Sequence, residues 1–128
     1  MTRKAALLVF ALISASVFAT AATVDWLTHV PARERARSNP YHEHPGAIQA
    51  GRLLFSDHCT QCHGDNAQGV SKRPSLRTQR VQSEATEGDL HWLLANGFLR
   101  RGMPSWSKLP DQQLWQIVAF LKSLKAAE

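Results

Sequence analysis

Only one stretch of the 128-residue chain is apolar enough to cross a bilayer, which excludes a multi-pass membrane protein. Charged residues make up 20%, too few for a long coiled coil. Internal repeats and low-complexity tracts are absent. No basic run interleaved with aromatics occurs, so nucleic-acid binding is disfavoured despite a net charge of +5. No cysteine follows the N-terminal apolar run, which excludes a lipid-modified N-terminal Cys. The whole chain has two cysteines, Cys59 and Cys62, so no disulfide framework can staple it. What remains is a chain of one-domain length with 44% apolar residues, enough for a globular core.

Residues 1–21 have the layout of a secretory signal peptide. Arg3 and Lys4 form the positive region, Ala5 to Val17 the apolar region, and Ala19-Thr20-Ala21 a small-x-small cleavage site. The alternative is an uncleaved anchor, because the apolar run reaches about 18 residues, the lower limit for a span. Either way the folded part lies outside the cytoplasm, on a periplasmic reading. Loss of Arg3 and Lys4 would leave the remainder mildly basic, suited to an acidic protein partner or a membrane surface.

Residues 22–45 hold Pro31, Pro40 and Pro45 and read as an extended lead-in that has room for a helical turn near 32–38. Val24, Trp26, Leu27 and Val30 either pack on the domain or form the stub of an anchor. From 46 to 128 the pattern is that of a single all-α domain. Ala47, Ile48, Gly51, Leu54, Phe55 and His58 repeat at helical spacing. Residues 64–83 are polar and read as a long loop. Thr86 and Asp89 resemble a capping box opening a helix over 87–96, with Gly97 as its stop. Residues 98–109 form a second loop. Pro110 suits a first helical position, and Leu114, Ile117, Val118, Leu121 and Leu124 give the last helix an apolar face. A core this small, joined by two long loops, needs a staple, and a bulky buried cofactor would serve.

Cys59-Thr60-Gln61-Cys62-His63 is C-x-x-C-H, the attachment signature of c-type haem. Two thiols at this spacing can each add to one porphyrin vinyl group, while the adjacent imidazole reaches the iron from one face. Three rival chemistries share parts of the motif. A dithiol redox site expects a strand before it in a βαβ setting. A zinc site needs a fourth ligand from a distant His. A disulfide across so short a loop would stabilise little. The secretion signal favours haem. The second iron ligand is then Met103 in Gly102-Met103-Pro104, the only methionine left after loss of Met1, with His29, His42, His44, His58 and His91 as alternatives. His58 and His91 fall on helices and read as surface or packing residues. Met103 opposite His63 would raise the reduction potential.

With these residues in place, residues 46–125 resemble a small bacterial class I cytochrome c, a monohaem fold of three to four helices with long loops wrapped round a covalently attached haem. In that family a Gly and an aromatic four residues later mark the first helix, here Gly51 and Phe55. An apolar residue and an aromatic three later mark the last, here Ile117 and Phe120. The resemblance implies a close crossing at Gly51, with Trp115 adding to it or covering the haem edge. It implies that the Pro74 carbonyl accepts the Nδ1 proton of His63, that Leu76 packs on the haem, and that Trp106 either donates to a propionate or simply packs. Gly64 continues the motif as C-x-x-C-H-G. The implied function is outer-sphere electron transfer between protein redox partners, with no catalytic residues. The alternatives are a haem subunit docked on a dehydrogenase or oxidase, and a five-coordinate haem that reacts with a gas or peroxide. Lys72, Arg73, Arg77, Arg80, Arg100 and Arg101 would steer an acidic partner if they line the haem-edge face.

Overall fold

The computed structural model describes residues 25–125. The signal peptide or anchor expected over 1–21, and Val24, lie outside the described residues. The rest of the lead-in begins with a 3₁₀ turn, Trp26–His29, followed by the short helix α1, Ala32–Arg35. Three longer stretches follow the expected periodicity. Helix α2 spans Pro45–His58, α4 spans Glu87–Asn96 and α5 spans Asp111–Ser123, with the single turn α3, Thr60–His63, between the first two. Among the described residues there is no strand, only two isolated bridges, Val70 with Arg73 and Phe98 with Met103.

Each helix end has a local cause. His44 caps α2 by accepting the Ala47 N–H on Nδ1 at 3.2 Å, and Pro45 follows at a position that needs no donor. Thr86 and Asp89 form the reciprocal capping box, with bonds of 3.1 and 2.8 Å. Gly97, at φ +69°, stops α4. Pro110 lies one place earlier than expected, as the cap of α5 rather than its first residue.

The core forms where α2 crosses α5. A Cβ on Gly51 would stand 1.9 Å from the Gln116 carbonyl oxygen, so only glycine permits this approach. Phe55 and Phe120 meet beside it, ring centroids 5.3 Å apart and tilted by 53°. Ile117 and Val118 are almost fully buried, and Leu90 and Leu94 of α4 complete the cluster with Leu114 and Leu121. The fold class is therefore as the sequence implies: all-α, with α2, α4 and α5 enclosing one core.

Two local expectations are corrected. Residues 64–83 are not loop throughout: Arg80–Glu84 form a π-helical turn. Lys122 on α5 donates to the carbonyls of Val81, Gln82 and Ala85 at 3.2, 2.8 and 2.8 Å. That one ammonium satisfies carbonyls around the turn, a long-range cause that local composition does not carry. Trp115 is not among the near neighbours of Gly51, which are Gln116 and Phe120. Its ring stacks on His91 of α4 at 4.0 Å, and its indole N–H donates to Asp111 at 3.1 Å.

The lead-in packs against this side of the molecule. Arg37 lies over the Trp115 ring, 5.0 Å from its centroid, and faces His91 Nδ1 at 3.3 Å. Asn39 is buried and donates to the Trp115 carbonyl and to Glu87, both at 3.1 Å. Thr86 Oγ1 donates to the Arg35 carbonyl at 2.9 Å. Leu27 enters the core and Trp26 packs against it.

Gly51→Ala should destabilise the folded protein by about 3 kcal/mol, because the helices must separate. Denaturant unfolding measures this, and an unchanged midpoint would contradict the crossing. Burial holds His91 below its usual 6.5, aided by Arg37 and opposed by the hydrogen bond to Asp111. The unfolded chain therefore binds this proton more tightly than the folded one. His91 then contributes its full stability above pH 6.5, and loses it as pH falls below that value. Between neutral and mildly acid pH, the unfolding midpoint should fall further in the parent than in His91→Gln. Equal falls would contradict this placement of His91.

Candidate functional site

The motif sits where α2 ends. Cys59 closes α2 by donating its N–H to the Phe55 carbonyl at 2.8 Å, and the chain then re-enters a helical turn that carries Cys62 and His63. The end of α2 is fixed by its crossing with α5, so the core sets the position of the motif. Gly64, at φ +81°, ends the turn in a conformation that L residues rarely adopt.

The first loop then folds back under His63. Gly69 N–H donates to the His63 carbonyl at 2.7 Å, and Leu76 N–H donates to the Ala67 carbonyl at 2.8 Å. This return brings the Pro74 carbonyl to 2.9 Å from His63 Nδ1. Nδ1 carries the proton there, since the carbonyl can only accept, and Nε2 is left with its lone pair. Leu76 is half-buried against the core.

The second loop turns back across the end of α4. Phe98 and Met103 exchange backbone hydrogen bonds of 2.8 and 3.1 Å, with Gly102 at φ +80° between them. Met103 is half-buried and packs against the core cluster. Trp106 N–H donates to the Leu94 carbonyl at 2.8 Å, and its ring lies 5.2 Å from that of His58 at the end of α2. Trp106 thus packs between the α2 end and the second loop.

Two residues matter beyond the roles read for them in the sequence. A Cβ on Gly69 would meet the Arg73 carbonyl at 2.7 Å and Ser75 N at 2.8 Å, so Gly69 makes room for the segment that presents Pro74. A Cβ on Gly97 would meet the Met103 carbonyl at 2.8 Å and Ser105 N at 2.5 Å. Gly97 is thus both the stop of α4 and the seat of the methionine loop. Position after a helix signalled the first role, but contact across a loop left no trace in the sequence. Of the six cations that would steer a partner if they shared a face, some are engaged within the protein. Arg80 pairs with Asp25 and Glu84, and Arg77 donates to the Asn66 carbonyl at 2.7 Å. Lys72, Arg73, Arg100 and Arg101 are exposed on the two loops, and Arg100 and Arg101 share a turn with the exposed Leu99.

The geometry discriminates among the chemistries that share the motif. Cys59 and Cys62 are half-buried free thiols. Burial, with the neighbouring Cys62, pushes the Cys59 thiol up to about 12, opposite to the depressed value of a redox dithiol. Among the described residues, no strand precedes the motif. Among the described residues, no group of three or more His, Cys, Asp or Glu side chains could hold a metal ion, so a zinc cluster is not assembled. The residues present do fit a c-type haem. They offer two free thiols on one helical turn, an imidazole oriented by a carbonyl, and a half-buried thioether in the second loop.

A strandless helical fold with this arrangement is that of a class I c-type cytochrome. Residues 46–121, more than half of the chain, match the family described as cytochrome c oxidase, cbb3-type, subunit III, and the chain belongs to that family. It is 29% identical over 96 residues to cytochrome c550 of Pseudomonas aeruginosa, covering 70% of this chain and 63% of that protein. It is 31% identical over 93 residues to the cbb3-type cytochrome c oxidase subunit FixPc of Rhizobium leguminosarum bv. viciae, covering 62% of this chain and 29% of that protein. The chain thus spans less than two thirds of the length of these curated relatives. The fold is similar to that of crystalline cytochrome cL from Methylophaga aminisulfidivorans, with a TM-score of 0.60 and 24% identity over 80% of this chain and 70% of that one. Cytochrome cL from Hyphomicrobium denitrificans gives a TM-score of 0.58 and 17% identity, covering 80% and 67%.

Gly69→Ala should lower the yield of covalently attached haem severalfold by displacing the segment that presents Pro74. Absorbance of acid–acetone-extracted protein measures it, and an unchanged yield would contradict this role of Gly69.

Proposed function

We propose that the chain is a periplasmic one-electron carrier with a single haem c. The haem is attached through Cys59 and Cys62, and its iron is ligated by His63 and Met103. The observation that carries this reading is the C-x-x-C-H turn whose His63 is oriented by the Pro74 carbonyl at 2.9 Å. When bound, the haem supplies a single reversible electron at its iron.

The chain's own residues tune and protect that electron. The Pro74 carbonyl fixes the His63 tautomer and raises the basicity of Nε2. Met103 as the second ligand raises the reduction potential and leaves no open position for a substrate. Leu76 and Trp106 exclude water and lower the local dielectric. The role needs no catalytic residue. Arg100 and Arg101, next to the exposed Leu99, and Lys72 across from Arg101 suit a protein partner with an acidic rim. A second reading, a subunit held on a terminal oxidase, is favoured by the family and by the FixPc relative. The packed lead-in would then present the N-terminal segment to the membrane. A five-coordinate haem reacting with a gas or peroxide would require Met103 to leave its seat on Gly97.

Visible spectra of the matured protein test the reading. A low-spin spectrum with the weak red band of iron–sulfur ligation is expected, insensitive to carbon monoxide and lost in Met103→Ala. A carbon-monoxide-sensitive or high-spin spectrum would overturn it. Reduction by an acidic partner should slow as ionic strength rises, and a rate independent of salt would remove the steering role of these cations. Co-purification with a larger complex would select the subunit reading.

A further inference from the structure

The loop that presents Pro74 to His63 and the loop that carries Met103 meet through one side chain. Arg73 Nη1 donates to the Arg101 carbonyl at 3.4 Å and to the Gly102 carbonyl at 3.3 Å. Among the described residues, these are the only hydrogen bonds between residues 64–79 and residues 97–109. The same contact borders an open surface cavity of about 380 Å³, lined by Ser71, Lys72, Arg73, Arg101 and Gly102.

Both ends of this contact are built. On one side, Arg73 N–H donates to the Val70 carbonyl at 2.9 Å, closing a tight turn with Ser71 at φ +54°. That turn aims Arg73 across the gap, one residue before Pro74. On the other side, Gly102 sits at φ +80°, and a Cβ there would lie 2.6 Å from Arg73 Nη1. Glycine therefore lets the guanidinium reach the backbone that leads directly into Met103. Arg100 carries the same charge in the same turn without bridging to the first loop.

We propose that Arg73 is a latch: a positioning residue that holds the Met103 loop against the loop that orients His63, and so keeps Met103 on the iron. The proposal rests on the reading of Met103 as ligand. The latch favours the closed arrangement of the second loop. An external ligand must wait for the open one, so its apparent affinity scales with the open fraction. Losing a hydrogen bond of ordinary net strength should raise that fraction about fivefold.

The test is an imidazole titration of the matured ferric protein. Arg73→Ala should bind imidazole about fivefold more tightly than the parent. Arg73→Lys, which keeps a donor on a long stem, should fall between the two, and Arg100→Ala should match the parent. Should Arg73→Ala fail to mature, Arg73→Gln and Arg73→Lys carry the same comparison. Parental affinity in the Arg73 variants overturns the latch. Equal tightening in Arg73→Ala and Arg100→Ala also overturns it, by assigning the effect to charge alone. Failure of the underlying reading shows separately: Met103→Ala would then bind imidazole no more tightly than the parent, and the latch falls with it.

Discussion

The approach of α2 to α5 at Gly51 is the constraint on which the rest depends. Because the Gln116 carbonyl occupies the space of a side chain at position 51, the two helices lock at one register. Phe55 and Phe120 fill the adjoining space. The last turn of α2, and with it Cys59, is thereby fixed relative to α5. α4 packs on the same cluster through Leu90 and Leu94, and the second loop springs from its end at Gly97. The turn that bears His63 and the loop that bears Met103 are thus both referred to one rigid crossing. A covalently attached group bridging them would add the staple that so small a core calls for.

Much of this was legible in the sequence because its causes are local. The apolar spacing of α2 and α5, the Thr86–Asp89 box and the glycine stop at 97 act within one or two turns. C-x-x-C-H is chemically specific at five residues. The resemblance to class I cytochromes c then pointed to Gly51, and to the Pro74 carbonyl at the position it holds. What was not legible depends on partners distant in the chain. The π-helical turn at Arg80–Glu84 is held by Lys122, which lies some forty residues away. Trp115 takes its orientation from His91 and Arg37, supplied by two other segments. Gly69 and Gly97 read as ordinary loop and helix-end glycines until the loops they accommodate are in place.

The lead-in shows the same division. Its prolines pointed to an extended segment with a helical turn near 32–38; the structure adds a 3₁₀ turn at Trp26–His29, and the polar residues gave no sign of where they would dock. In the structure, Arg37 and Asn39 and the carbonyls near Arg35 meet the start of α4 and the face of Trp115. That side is rich in hydrogen bonds and distant in sequence from the cysteine motif. The molecule thus has a sealed side, where the lead-in covers α4 and α5, and a side where two basic loops and Leu99 remain exposed. Under the proposed function, a protein partner would approach from the exposed side.

The central claim is that His63 on its helical turn and Met103 in the second loop would together ligate one iron. Proton and carbon NMR of the reduced, matured protein, labelled at methionine methyl groups, tests it most directly. A methyl held over a porphyrin face is shifted far upfield by the ring current. The account predicts one such methionine signal, absent from Met103→Ala. A spectrum in which the Met103 methyl stays in the ordinary range would contradict it.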